Sequence, residues 1–231
     1  MIESTVLFIG SLLAGLSALA FKPSERLFKV LLAFGGAFLL GLSFFHLLPE
    51  AYEAIGMQAG IAVIAGFLLQ VVLESFSGGI EHGHHHHKEG NNFPWMVFVG
   101  LSLHAYLEGL PFGQHDHGHG LWPFLIGVMM HKMPVAFVLG SMLVGAGSDK
   151  MKVILFIVIF SCMAPMGSLT TSMIPTIDES IFYMIIGVVV GMLLHISTTI
   201  LYEADKGHRF NFLKMLVIII ALAVAYFVSI I

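Results

Sequence analysis

Residues 93–147 read FPWMVFVGLSLHAYLEGLPFGQHDHGHGLWPFLIGVMMHKMPVAFVLGSMLVGAG: two apolar runs joined by a short, histidine-rich loop. The first run carries HAYLEG, His104 to Gly109, and the second carries HKMP, His131 to Pro134. Side chains four apart share one face of a helix, so His104 and Glu108 can grip one ion together. The loop covers residues 113–120, with His104 nine residues before it and His131 eleven after it. At roughly 1.5 Å rise per residue, an antiparallel pair brings both histidines to the same depth, near the middle of each segment. His104, Glu108 and His131 meeting inside an apolar bundle form a candidate site for a divalent metal ion.

Working outward, the whole chain has the same character. Of its 231 residues, 58% are hydrophobic and 10% charged, where a soluble domain carries about 25% charged residues. The reading is an all-α integral membrane protein, a single transmembrane domain over residues 1–231. A helix needs roughly 20 apolar residues to cross a bilayer. Eight such segments are expected, at about 4–21, 28–48, 59–77, 93–112, 121–145, 151–173, 181–201 and 211–231. The first has no basic start and no small-residue cleavage site, so it is read as a span and not a removed signal peptide. Lys22, Arg26, Lys29, Lys88, Lys150, Lys152, Lys206, Arg209 and Lys214 all fall between spans or at their ends on one side, and they are nine of the ten Lys and Arg. The opposite side carries acids: Glu3, Glu50, Glu53, Asp116, Asp178 and Glu179. The positive-inside rule makes the basic side cytoplasmic, so both termini are expected to be extracytoplasmic. The single cysteine, Cys162, lies within span six and excludes an internal disulfide; it reads as a small packed side chain.

Other polar residues line up along this frame. Span two ends in FFHLLPEAYE, where His46 and Glu50 are again four apart and Pro49 is expected to limit the helix. Either an entrance that collects cations or a solvated interfacial cap fits this pair. Span three holds Gln70 and Glu74, and Glu74 reads as reaching the inner interface. The loop 78–92 holds His82, His84, His85, His86 and His87. Histidine-rich tracts bind metal, and a solvated linker is the alternative. The outer-loop His115, Asp116, His117 and His119 admit the same two readings. Lys132 is the one Lys or Arg in the interior of a span, away from its ends; at the middle of a membrane helix it costs about 3 kcal/mol. It therefore calls for a counter-charge, and Glu108 is the candidate. Gly127, one turn outward from His131, is expected to leave room for that carboxylate. Pro134 cannot bond to the Met130 carbonyl, which is expected to face the cavity. In span seven, His195 and Glu203 form a candidate exit, with helix packing the alternative for His195.

These residues resemble the ZIP (Zrt/Irt-like protein) family of divalent-metal transporters. HAYLEG is similar to the family's His-x-x-x-Glu-Gly, and HKMPVA, HLLPEA and APMG add to the likeness. The resemblance covers nearly the whole chain and implies a 3+2+3 bundle, two inverted three-helix repeats around spans four and five. It implies metal binding at His104, Glu108 and His131, and movement of Zn2+ or related ions into the cytoplasm. The sequence departs from many members at Ala105, Val135 and Ala164, where they carry Asn or carboxylates that build a second metal site. One central ion is therefore expected, with the Lys132 ammonium standing where a second cation would bind. A Lys132→Ala variant that binds two ions per chain would support this; a wild type that already binds two centrally would refute it.

The expected mechanism is transport. Zn2+ enters by His46 and Glu50, sheds water to His104, Glu108 and His131, and leaves by His195 and the loop histidines. Imidazole and carboxylate hold Zn2+ at about 2.0–2.2 Å and also accept Fe2+, Mn2+, Co2+ and Cd2+. The chain has no ATP-binding loop, so a gradient is the expected driving force. Competing classes are a membrane metal sensor, a metal-dependent membrane enzyme, for which no HExxH is present, and a metal exporter. Expected partners are divalent metal ions and the lipid bilayer of a plasma (inner) membrane, with a homodimer open and no nucleic acid.

Overall fold

The computed structural model describes residues 2–21, 25–77, 95–114, 122–174, 177–203 and 212–230. The loop histidines His82, His84, His85, His86, His87, His115, His117 and His119, with Asp116, lie outside the described residues. Among the described residues all regular structure is helical: α1 Ile2–Ser17, α2 Glu25–Leu42, α3 Leu48–Ile55, α4 Met57–Ser77, α5 Trp95–Gly109, α6 Trp122–Gly145, α7 Lys150–Ser172, α8 Glu179–Glu203 and α9 Phe212–Ser229. A π turn, Ser43–Leu47, joins α2 to α3, and a 3-10 turn, Leu110–Gly113, extends α5.

Among the described residues six helices are long and apolar enough to cross a membrane, one of them the continuous rod Lys29–Ile55. The helices α1 and α5 have 16 and 15 residues and fall short of that length by themselves. With its 3-10 turn, α5 reaches roughly 30 Å at the usual rises per residue.

Pro49 does not end the second rod. Inside the π turn the Leu48 N–H bonds to the Ser43 carbonyl, five residues back. The extra residue shifts the bonding register, and Pro49's missing N–H falls at that shift, in the first turn of α3 where proline is tolerated. The rod stops instead at Gly56, whose φ of +56° suits glycine.

Packing sorts the helices into two groups. One gathers α1, α5, α6 and α7; the other gathers α2, α3, α4, α8 and α9. Within each group glycines bring backbones together, the usual device of membrane helices. A Cβ at Gly109 would collide with the Ala164 carbonyl of α7, and one at Gly66 with the Val188 carbonyl of α8. The groups meet where α2 packs on α6 and α4 on α5, whereas α5 and α6 approach each other at few positions.

The α2–α6 contact corrects two expectations. A Cβ at Gly127 would meet Leu42, Leu39 and Phe38, so this glycine makes room for α2 and not for the Glu108 carboxylate. The Met130 carbonyl, left without an N–H by Pro134, would lie 3.1 Å from a Cβ at Gly35 and so faces α2. In both cases the neighbouring helix takes the space.

Candidate metal centre

Along α5, Leu101 and Ala105 belong to one buried apolar cluster, and Phe112 beyond the helix end belongs to another. Along α6 the order reverses, with Phe124, Leu125 and Val128 in the second cluster and Val135, Ala136 and Leu139 in the first. Antiparallel helices thus sandwich one polar level between two apolar layers. His104, Glu108, His131 and Lys132 occupy that level, each 2% exposed or less.

One ligand atom from each of His104, Glu108 and His131 lies within 4.8 Å of the other two. His104 Nε2 is 3.0 Å from Glu108 Oε1, as the i, i+4 spacing allows. The two imidazoles stand edge to face with centroids 5.9 Å apart. An ion about 2.1 Å from each donor would hold them roughly 3.4 Å apart, so any pair near the 4.8 Å limit closes by about an ångström on binding. The remaining Glu108 oxygen, Oε2, accepts from Lys132 Nζ at 3.3 Å. The Lys132 ammonium also lies 5.6 Å from the centroid of Phe160, a cation–π contact. Val135 and Ala164, where many members of the resembled family carry carboxylates, are buried apolar residues.

The other candidate residues lie apart from this trio. His46 Nδ1 is 3.6 Å from Glu50 Oε1 across the π turn–α3 junction, and both are partly exposed. His195 Nε2 is 3.3 Å from Glu74 Oε2, a pair between α8 and α4, and Phe67 packs edge-on to the imidazole at 4.9 Å. Glu74, expected at the interface, is a quarter exposed and engaged with His195. Glu203 is the last residue of α8, and its side chain lies outside what the structure describes. Cys162 is a half-buried free thiol.

One contact of the trio has no motif behind it. Gln70 of α4 is fully buried, with Oε1 2.9 Å from His104 Nδ1. A lone amide in an apolar run is a signal of polar partnership at membrane depth, but the spacing does not say with whom.

Comparison with known proteins bears on the same residues. The profile of the ZIP Zinc transporter family matches residues 2–94 and 80–229. Protein zntD of Dictyostelium discoideum is 25% identical over 162 residues, covering 60% of this chain and 22% of that protein. Zinc transporter ZIP1 of Danio rerio is 30% identical over 89 residues, covering 37% of this chain and 30% of that protein. The matches therefore span less than a third of the length of these curated relatives. With the family profile running over nearly every helix, site helices included, the chain belongs to the ZIP zinc transporter family.

Proposed function

We propose that this protein carries divalent metal ions, Zn2+ foremost, across a membrane into the cytoplasm through a site formed by His104, Glu108 and His131. The observation that carries the reading is the convergence of three buried donors between two apolar layers in a bundle of membrane-length helices. Imidazole and carboxylate donors suit Zn2+. Buried ionisable groups at membrane depth mark ion pathways. Membership of a zinc transporter family favours transport over the enzyme, sensor and exporter readings. Fe2+, Mn2+, Co2+ and Cd2+ are further substrates the donors accept.

The bundle is read as eight spans in a plasma (inner) membrane with both termini outside, α1 and α5 crossing with the six longer helices. Packing supports a 3+2+3 inverted arrangement. Exchanging the first three rods for the last three, and α5 for α6, turns the α4–α8 contact into the α9–α2 contact and the α1–α6 contact into α7–α5; all four are present. His46 and Glu50 stand on the acidic side as the entrance. His195, with Glu203 and the His-rich loop, stands on the basic side as the exit. Lys132 holds the Glu108 charge while the site is empty and occupies the room of a second cation.

The test is zinc-65 entry into liposomes holding purified protein. Wild type should admit zinc, and His104→Ala and Glu108→Ala should abolish entry. No entry under any gradient would refute transport, and entry that survives both substitutions would move the path elsewhere.

A further inference from the structure

We propose that Gln70 is a positioning residue of the ion site, fixing which nitrogen of His104 faces the ion while adding no charge. The inference rests on reading His104, Glu108 and His131 as that site. Gln70 belongs to α4, a helix that supplies none of the three donors. Its amide oxygen only accepts, so the 2.9 Å bond to His104 requires the proton on Nδ1. In neutral His104, the form that binds metal, the other nitrogen, Nε2, then carries the lone pair, and it is Nε2 that lies 3.0 Å from Glu108 Oε1. Lys132 Nζ, 3.3 Å from Glu108 Oε2, offsets the carboxylate charge, but the Nε2 lone pair and Oε1 still face each other as two buried acceptors that a cation between them would satisfy. The Gln70 bond therefore holds His104 in the form that needs an ion. The reverse amide orientation would offer N–H to Nδ1, place the proton on Nε2 and block that ligand. Gln70 Nε2 has no hydrogen-bond partner among the described residues, so the bond to His104 is the one that this amide makes there.

The amide differs from the carboxylate that often supports a metal-bound histidine. A carboxylate raises ligand basicity and would add a second negative charge beside Glu108. A neutral acceptor orients the ring without deepening the well, which suits a site that must release its ion.

Two substitutions separate these effects. Gln70→Met keeps the length and removes the acceptor; it should weaken Zn2+ binding by about 10–100-fold. Gln70→Glu keeps the acceptor and adds charge; it should bind Zn2+ at least as tightly as wild type yet pass zinc-65 more slowly. The experiment titrates Zn2+ into full-length protein in nanodiscs and records 15N spectra of labelled histidine, with His104 assigned through His104→Ala. Zinc-loaded wild type should show Nδ1–H and metal on Nε2. A proton on Nε2 there, or unchanged affinity in Gln70→Met, would overturn the proposal. If His104→Ala binds Zn2+ as well as wild type, the site itself is wrong. If His104→Ala loses binding while Gln70→Met keeps it, the role of Gln70 alone is wrong.

Discussion

Glu108 places Oε1 3.0 Å from His104 Nε2 and Oε2 3.3 Å from Lys132 Nζ, and all three groups are buried. Removing one partner of a buried ion pair costs about 3–5 kcal/mol, because the other charge is left uncompensated. Lys132→Met should therefore lower the thermal midpoint of the metal-free protein. Zn2+ would then supply the missing charge, so the zinc-induced rise in midpoint should exceed that of wild type. Thermal unfolding with and without Zn2+ checks both; a smaller rise would mean that Lys132 helps to hold the ion. The pH dependence follows from the same donors. Imidazole and carboxylate ligands must be deprotonated to bind metal, so zinc uptake should be lower at about pH 5.5 than at about pH 7.5. A flat profile over that range would refute the ligand set. At this scale the sequence was most readable for groups whose partners are fixed by spacing or by charge. His104 and Glu108 are four apart on one helix, and a lone lysine in an apolar span demands a carboxylate. Gln70 was readable only as a polar residue in need of a partner, because its bond to His104 depends on which helix α4 packs against.

The helices pack at two kinds of interface, and substitutions at each should behave differently. Where α5 meets α7 and α4 meets α8, backbones touch through glycine, and Gly109 and Gly66 face carbonyl oxygens directly. Overpacking such a contact costs about 1–3 kcal/mol or more, since backbone cannot move aside like the end of a side chain. Gly109→Ala and Gly66→Ala should each sharply reduce the yield of monodisperse protein in size-exclusion chromatography. Gly145→Ala, with nothing within 4 Å of the added Cβ, should leave it unchanged. If all three behaved alike, these glycines would not be close-packing positions. The α5–α7 contact is also tied by hydrogen bonds, Thr171 Oγ1 to the Leu110 carbonyl at 2.6 Å and Tyr106 Oη to Thr170 Oγ1 at 3.0 Å. Helix existence and type were legible from apolar runs, and boundaries less so. Pro49 reads as a stop in any local rule, yet a π turn absorbs its missing N–H and the rod runs on to Ile55. Gly127 and the Met130 carbonyl were assigned to the cavity from their place on α6, but they face α2. A helix has several faces, and the sequence of one helix does not say which neighbour covers each.

Across the whole molecule, the disposition of charge and the number of crossings make one joint prediction. Lys150 and Lys152 open α7, and Lys214 near the start of α9 donates to the Leu201 carbonyl in the last turn of α8 at 2.9 Å. These basic ends share a side if every rod crosses, and the acids at the start of α8 and in α3 lie opposite. The two short helices decide the count. If α5 did not cross, residues 78–92 and 115–121 would share one side; if α1 did not cross, the N-terminus would lie with Lys29 on the basic side. Single cysteines at Glu3, Glu89 and Asp116, in a Cys162→Ser background, distinguish these cases with a membrane-impermeant maleimide. Eight crossings predict labelling of Glu3→Cys and Asp116→Cys in intact cells, and of Glu89→Cys only after permeabilisation. Matched labelling of Glu89→Cys and Asp116→Cys would take α5 out of the membrane. That outcome would also remove the argument for a site at mid-depth, because His104 and Glu108 reach the polar level only if α5 traverses the bilayer antiparallel to α6.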